Sequence, residues 1–275
     1  MIEKQKNISA IIVTHNSEGL IDKCVDALQK QSYPLDRIII IDSGSTNSEY
    51  LDDYESKPGI IIKRCENIGY SRANNEGYQL IPDETEFILF LNPDTFLGGD
   101  NVATALRKFA ESKQTGVITG TLLAYEIATD SPGDTYDSTG IFRAWYGRWY
   151  DRDQGKSQTE VQYYRDERIH AACGAMMFIR CAAVEQYRPE IFHADFFLYK
   201  EDIELSLRLS KTGWNIIFSP EISAYHCRGW DGRKKMSRYL KLQAARNEVL
   251  LYQIHPSPYI IWALLKYLLV RYLRV

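Results

Sequence analysis

The chain of 275 residues contains no C-x-x-C pair, and its five cysteines, Cys24, Cys65, Cys173, Cys181 and Cys227, are scattered and odd in number. That excludes a zinc ribbon, a thioredoxin-like site and a secreted disulfide framework, and it reads most simply as reduced thiols in a cytosol. There is no G-x-x-x-x-G-K-S/T, and the first strand-to-helix turn, THNSEGL, lacks G-x-G-x-x-G, so ATPase and dinucleotide-dependent dehydrogenase readings fall. Neither sign of charge dominates: 33 Lys+Arg against 36 Asp+Glu leave a formal charge of -3 and no overall field to hold nucleic acid. The opening MIEKQKNISA is polar and has no signal-peptide pattern, which predicts a cytoplasmic location for the active part of the chain. No internal repeat or low-complexity linker interrupts it.

What is present is an alternation of strands and helices. Apolar runs at Ile8 to Val13, Ile38 to Ile41, Ile60 to Ile62 and Phe87 to Leu91 have strand length and do not alternate with polar residues, as expected of strands buried on both faces. Between the first two, Leu20, Cys24, Ala27, Leu28 and Gln31 fall at helical spacing behind Ser17, a candidate N-cap. Further helices are predicted over 71–80, 102–112 and 202–211, the last stopped by Gly213, and further strands over 175–179 and 215–219. The fold class is therefore α/β, a sheet covered by helices. Residues 124–168, rich in Gly, Trp and Tyr among charges, read as a long functional loop or lid. Trp145, Tyr146, Trp149 and Tyr150 within it suit either stacking on sugar faces or burial over the core. One compact domain, 1–235, with a C-terminal helical segment, 236–275, is expected.

In open α/β sheets ligands bind beyond the carboxyl ends of the strands. Those ends carry THNS from Thr14, DSGST from Asp42 and NPDT from Asn92. Each alone is ordinary turn chemistry; together, in this order, they can converge on one ligand. Asp42 is of the right type to accept a hydrogen bond from a pyrimidine N3-H, and Asp94 to bind a divalent cation bridging two phosphates, for which hard oxygen ligands suit Mg or Mn.

The segments IIVTHNSEGL, IIIIDSGSTN, ENIGYSRANNEGY, FLNPDT, GAMMFIR, FFLYKEDIELSLRLSKTGW and SAYHCRGW resemble glycosyltransferase family 2, the inverting class with the GT-A fold. The likeness runs over roughly residues 8 to 230, and the Trp/Tyr/Arg-rich insertion is similar to bacterial rhamnosyltransferase-like members. The resemblance implies a mixed central sheet flanked by helices, with a C-terminal helical extension. It places Thr14 and Asn16 near the base and ribose, Asp42 on the pyrimidine, and Asn67, Gly69 and Arg72 along the base and diphosphate. Asn92 and Asp94 stand at the family's D-x-D position, with Asn replacing the first acid, so metal ligation falls to Asp94. His226 resembles the histidine that completes the metal shell in some members, and imidazole favours Mn over Mg. Cys173-Gly174-Ala175 offers small residues that suit either close approach of donor sugar or acceptor to the backbone or packing in the core.

Inverting transfer needs a carboxylate aimed at the acceptor oxygen. Glu201 and Asp202 sit at a predicted helix N-terminus, where acids otherwise merely complement the helix dipole. By resemblance Asp202 is the base and Glu201 its neighbour near the acceptor, and the helix end is expected to lower the Asp202 pKa. The tail YIIWALLKYLLVRYLRV is too interrupted to predict a spanning helix of about 20 residues. Lys266, Arg271 and Arg274 share one arc of it, which describes an interfacial helix, with core packing or a protein-protein face as alternatives.

The expected activity is transfer of L-rhamnose from dTDP-rhamnose to a cell-surface polysaccharide or lipid-linked glycan, with Mn or Mg as cofactor and a peripheral position at the inner face of the cytoplasmic membrane. A UDP-hexose donor is the alternative, because Asp42 reads a feature shared by uracil and thymine. From other classes, a nucleotidyltransferase would need a Gly-rich, Lys/Arg-bearing N-terminal loop that THNSEGL is not. A non-catalytic glycan-assembly module would release no nucleoside diphosphate.

Overall fold

A computed structural model describes residues 6–227 and 236–273. The elements in chain order are β1 (Ile8–Thr14), α1 (Ile21–Gln29), β2 (Arg37–Ser43), α2 (Asp52–Glu55), β3 (Ile60–Cys65), α3 (Tyr70–Tyr78), β4 (Phe87–Leu91), β5 (Thr95–Leu97) and α4 (Asn101–Glu111). There follow β6 (Thr115–Glu126), β7 (Ser131–Ser138), β8 (Ile141–Arg143), β9 (Trp149–Asp151), β10 (Glu167–Arg168), β11 (Met176–Arg180), α5 (Cys181–Val184), α6 (Glu201–Lys211), β12 (Asn215–His226), α7 (Arg238–Ile254) and α8 (Ile260–Leu268). The main sheet runs β10-β12-β6-β11-β4-β1-β2-β3, with β5 paired to β12 and β7 to β6. β1, β2, β3 and β4 are mutually parallel where they pair, while β11 runs antiparallel to both β4 and β6. The sheet is mixed, as expected of GT-A.

The strands that read as continuous apolar runs are buried on both faces: every residue of β1 and β4 is buried. Two apolar clusters result, one on each side of the sheet. α1 presents Ile21, Cys24, Val25 and Leu28 to one side, a helical stripe of the expected spacing. On the other side α3 lies so close to β1 that a Cβ on Gly77 would sit 2.5 Å from Ile11 Cγ2.

Three expectations are corrected. Ser17 does not cap α1: the helix begins at Ile21, no side chain caps it, and Ser17 instead contributes its carbonyl to the turn, accepting from Leu20 and Ile21. Residues 124–168 are not one long lid; they carry β7, the β8–β9 hairpin and β10, hydrogen-bonded to the main sheet or to each other. The aromatic group divides, with Trp149 only 3% exposed in the core and Trp145 85% exposed. The third concerns the tail. Lys266 turns inward to Glu248, a fully buried carboxylate, so the cations do not share a solvent-facing arc. Arg274 lies outside the described residues, as do residues 228–230 of the SAYHCRGW segment. Outward from α8 face Ile261, Leu264, Leu265 and Leu268. Among the described residues no helix is long and apolar enough to cross a membrane, and no disulfide forms.

α6 is tied to the end of α7 by a polar cluster around the buried Glu204 carboxylate. Lys211 Nζ donates to His255 Nδ1 (2.6 Å), which leaves Nε2 as the donor to Glu204 Oε1 (3.2 Å). Arg208 donates to the same carboxylate at 2.7 and 3.1 Å. Burial pushes the Glu204 carboxyl up, but His255 and Arg208 outweigh it and hold it below the ordinary glutamate value. A depressed carboxyl stabilises the fold above its unfolded pKa, and that contribution is lost as pH falls through the folded value. Glu204→Gln should therefore cost about 3 kcal/mol in urea denaturation at pH 7, and the difference from the parent should shrink as pH is lowered below 4.

Candidate active site

The carboxyl ends of β1 and β2 interlock through side chains. Thr14 Oγ1 meets Tyr50 OH at 2.9 Å, and Tyr50 OH meets Ser45 Oγ at 3.1 Å. Ser45 donates from N and Oγ to Asp42 Oδ1 at 3.2 and 2.5 Å. Asn16 adopts a left-handed backbone (φ 53°), donates its N-H to Ser45 Oγ (2.8 Å) and accepts at Oδ1 from Thr46 N-H (2.7 Å). These contacts fix Thr14, Asn16 and Asp42 as one rigid rim. Asn67 packs directly on Gly44 of that rim, where a Cβ would come 2.5 Å from Asn67 N, and its Oδ1 accepts from Gly69 N-H (3.3 Å). Gly69 itself has φ 81°, and a Cβ there would strike Phe197; only glycine fits. Arg72 follows on α3, solvent-facing, with Nε donating to Ala194 O (3.3 Å).

A second group forms where β4 ends. Asn92 N-H donates to Ala175 O (3.0 Å), and the turn through Asp94 leads into β5. The antiparallel β5–β12 register sets His226 opposite Thr95, beside Asp94. His226 Nε2 lies 3.4 Å from Asp94 Oδ1, and Nδ1 donates to Asp137 Oδ2 at 2.7 Å. Burial alone pushes the His226 imidazolium down; the two carboxylates outweigh it and raise its pKa to about 9. Burial likewise pushes Asp94 up, yet His226 holds it below the usual carboxylate range. Among the described residues no group of three or more His, Cys, Asp or Glu could hold a metal alone. Asp94 and His226 nevertheless converge as one carboxylate and one imidazole, a donor pair that suits Mn.

The third group is the start of α6. Glu201 and Asp202 are its first two residues, and Asp202 Oδ2 accepts from Gly174 N-H at 2.9 Å. Tyr70 OH holds the same glycine's carbonyl at 2.9 Å. Entry to α6 runs through Tyr199 and Lys200, both left-handed (φ 76° and 78°). Asn247 of α7 pins that strained turn, donating to Leu198 O and Tyr199 O, both at 2.9 Å. Burial raises both acids, and Asp202 adds to the rise at Glu201, whose Oε2 is buried without a partner. At Asp202 the N-H groups of Gly174 and Ile203 only moderate the effect of burial. The expected depression of Asp202 by the helix end is thus corrected: loss of water outweighs it.

Sequence reasoning named the rim, both α6 acids, Asp94 and His226, but missed Asp137 and Asn247. Asp137 lies within TYDSTG, where nothing local separates it from a turn acid, and Asn247 sits mid-helix in the segment read as a tail.

Residues 9–188 match the model of Glycosyl transferase family 2, more than half of the chain. The chain belongs to that family. Rhamnosyltransferase WbbL of Escherichia coli K12 is 25% identical over 248 residues, 83% of this chain and 86% of the relative. The N-acetylglucosaminyl-diphospho-decaprenol L-rhamnosyltransferase of Mycobacterium tuberculosis is 21% identical over 244 residues, covering 80% and 75%. Among solved structures, GalNAc-T7 with UDP, GalNAc and Mn2+ superposes with a TM-score of 0.67 at 17% identity. It covers 94% of this family 2 chain, which spans 49% of that longer one. The fold is GT-A.

Because Asp137 supports the raised His226 pKa, Asp137→Asn should bring the imidazole down from about 9 toward its ordinary value in metal-free protein. The His226 Cε1-H resonance, followed by NMR across pH 5 to 10, reads this directly; an unmoved midpoint would remove Asp137 from the site.

Proposed function

We propose that this family 2 glycosyltransferase transfers L-rhamnose from dTDP-rhamnose, with inversion, to a hydroxyl of a cell-surface polysaccharide or lipid-linked glycan. The observation that carries the sugar assignment is the alignment of two rhamnosyltransferases along 83% and 80% of the chain. A UDP-hexose remains the second donor to test, since the Asp42 carboxylate can accept the N3-H of either pyrimidine.

In this reading Asp42, with Thr14 and Asn16, receives the base and ribose, and Asn67, Gly69, Arg72 and Asn92 line the path of the diphosphate. Asp94 and His226, once His226 has given up its Nε2 proton, would hold Mn, or less naturally Mg, and the ion when bound would supply charge neutralisation for the departing diphosphate. Asp202 takes the proton as the acceptor oxygen bonds to the anomeric carbon and the bond from that carbon to the diphosphate breaks. Its raised pKa makes it a stronger base than an ordinary aspartate. Glu201, raised to about 8 by burial and by the neighbouring Asp202 charge, resists ionising beside it. Gly174 N-H aims the base and leaves the backbone open to donor sugar or acceptor. Residues 1–235 act as the catalytic domain and 236–275 as its helical brace.

The C-terminal helix supports a peripheral contact with the inner face of the cytoplasmic membrane. Ile261 and Leu265, one turn apart, are 65% and 53% exposed, and Trp145 stands free nearby in the hairpin that α8 packs against.

Melting-temperature shifts with UDP-, dTDP- and GDP-sugars, with and without Mn2+, test the donor: dTDP-rhamnose with Mn2+ should give the largest rise. A response to UDP-sugars alone would replace rhamnose. Asp202→Asn should cut transfer by about a thousandfold while nucleotide binding persists; normal turnover would reassign the base. For the membrane contact, Ile261→Glu combined with Leu265→Glu should weaken co-flotation with anionic vesicles by about a hundredfold, the loss of two buried aliphatic side chains. Unchanged flotation would place α8 on protein instead.

A further inference from the structure

Beside the site, a cleft of about 440 Å³ is lined by Ala144, Tyr146, Arg148, Tyr150, Asp151 and Gln154, all from the β8–β9 hairpin and the turn after it. It touches both arms of the chemistry. Gln154 Nε2 donates to Asp137 Oδ1 (3.4 Å), the carboxylate that holds His226. At the other end the charge of Asp151 acts on Asp202, beyond the larger effect of burial. The hairpin cannot drift from the base, because Ile141 and Ala171 exchange backbone hydrogen bonds at 2.8 and 3.1 Å. Three residues after Ala171 comes Gly174, whose N-H binds Asp202.

The lining has a definite chemistry. Tyr146 and Tyr150 offer ring faces and hydroxyls, and Asp151 and Gln154 offer acceptors and a donor, the mixture that recognises a sugar ring. Arg148 is half-buried and, among the described residues, has no carboxylate partner. A guanidinium in that state suits a phosphate. One lining residue also reaches the C-terminal helix. Tyr146 packs edge-on against Trp262 of α8 (4.9 Å) and against exposed Trp145 (5.4 Å), and Tyr252 OH donates to Gly147 O (2.6 Å).

We propose that this cleft is the acceptor subsite and that it takes a sugar carrying a phosphate, with Arg148 on the phosphate and Tyr150 on the ring. The assignment rests on the glycosyltransferase reading above. Bound this way, the sugar would turn a hydroxyl toward Asp202, on the Asp151 side, and its phosphate end toward Arg148 and Tyr146. Such a headgroup can be free in solution or attached to a lipid.

Saturation-transfer NMR on the full chain, with N-acetylglucosamine 1-phosphate and glucose 1-phosphate as probes, tests this without requiring turnover. Both should bind more tightly than the unphosphorylated sugars. Arg148→Ala should weaken them at least tenfold and leave the plain sugars unmoved, and Arg148→Lys should restore part of the loss. Tyr150→Ala should weaken phosphorylated and plain sugars alike. Binding that ignores Arg148 and Tyr150 overturns the assignment and moves the probes to the donor site. The source of the headgroup is read with a polyprenyl-diphospho-sugar in vesicles. Tighter binding that Ile261→Glu with Leu265→Glu abolishes identifies a lipid-linked acceptor, and equal affinity for both forms identifies a soluble one. Failure of any nucleotide-sugar to shift the melting temperature would sink the glycosyltransferase reading separately, since Arg148-dependent sugar phosphate binding does not depend on it.

Discussion

A buried imidazolium clamped between two carboxylates fixes how the end of β4 meets β12. Asp137, fully buried, and Asp94, three-quarters buried, could not both stay charged away from water without a cation between them. His226 supplies it. Its position is decided far from the rim, by the register of β12 against β5 and β6, so the sheet's outer strands dictate how the end of β4 is arranged. The cost of desolvating three ionised groups is accepted where a diphosphate and its cation are expected to meet the protein, which is the pattern of a site rather than of a core.

The second constraint is backbone proximity. Gly174 gives its N-H to Asp202 and its carbonyl to Tyr70, so one residue joins Asp202 to α3, the helix that also carries Arg72. Gly69, at φ 81°, lets the chain entering α3 press against Phe197, and Tyr70 N-H then donates to Phe197 O at 2.7 Å. The segment leading to the base is therefore held at Phe197 by α3 and at Leu198 and Tyr199 by Asn247 of α7. The left-handed turn at Tyr199 and Lys200 persists because both sides hold it. α7 is thus a structural part of the base's setting, and its link through His255 to Glu204 holds the far side of α6 as well.

What the sequence makes legible is what depends on short range. Continuous Ile-rich runs specify doubly buried strands, and the polar residues directly after them fall on the rim because strand ends in a parallel sheet share one edge. Glu201 and Asp202 open a helix as their spacing from Ile203, Leu205 and Leu209 implies. The misses share a different cause. Ser17 has the composition of a cap, but its carbonyl, not its hydroxyl, closes the turn into α1. Residues 124–168 look irregular because β7 and the β8–β9 hairpin are short, half-exposed strands whose alternation is broken by glycines. Asp137 and Asn247 matter through partners 89 and 48 residues away, at His226 and Tyr199, and no local pattern encodes such a distance. The Asp202 pKa reversed for a related reason: the helix dipole is readable from spacing, whereas burial depends on everything packed above it.

The same long-range logic bears on how an insertion can set acceptor choice in a common fold. The parallel half of the sheet carries the rim of Thr14, Asn16 and Asp42, and its residues are constrained by one another, as the chain of contacts from Thr14 through Tyr50 and Ser45 to Asp42 makes plain. The hairpin is under no such constraint. Its backbone is anchored at Ile141 to Ala171, three residues before Gly174, and at Gly147 to α7, while Ala144, Tyr146, Arg148 and Tyr150 line the cleft. Changes at Arg148 or Tyr150 would therefore alter what is bound beside the base without disturbing the base itself, because neither side chain bears on the contacts that hold Asp202 or His226. A surface with that freedom, placed between the α6 acids and an apolar helix, is where the choice of ligand can change while the strand-end rim stays the same.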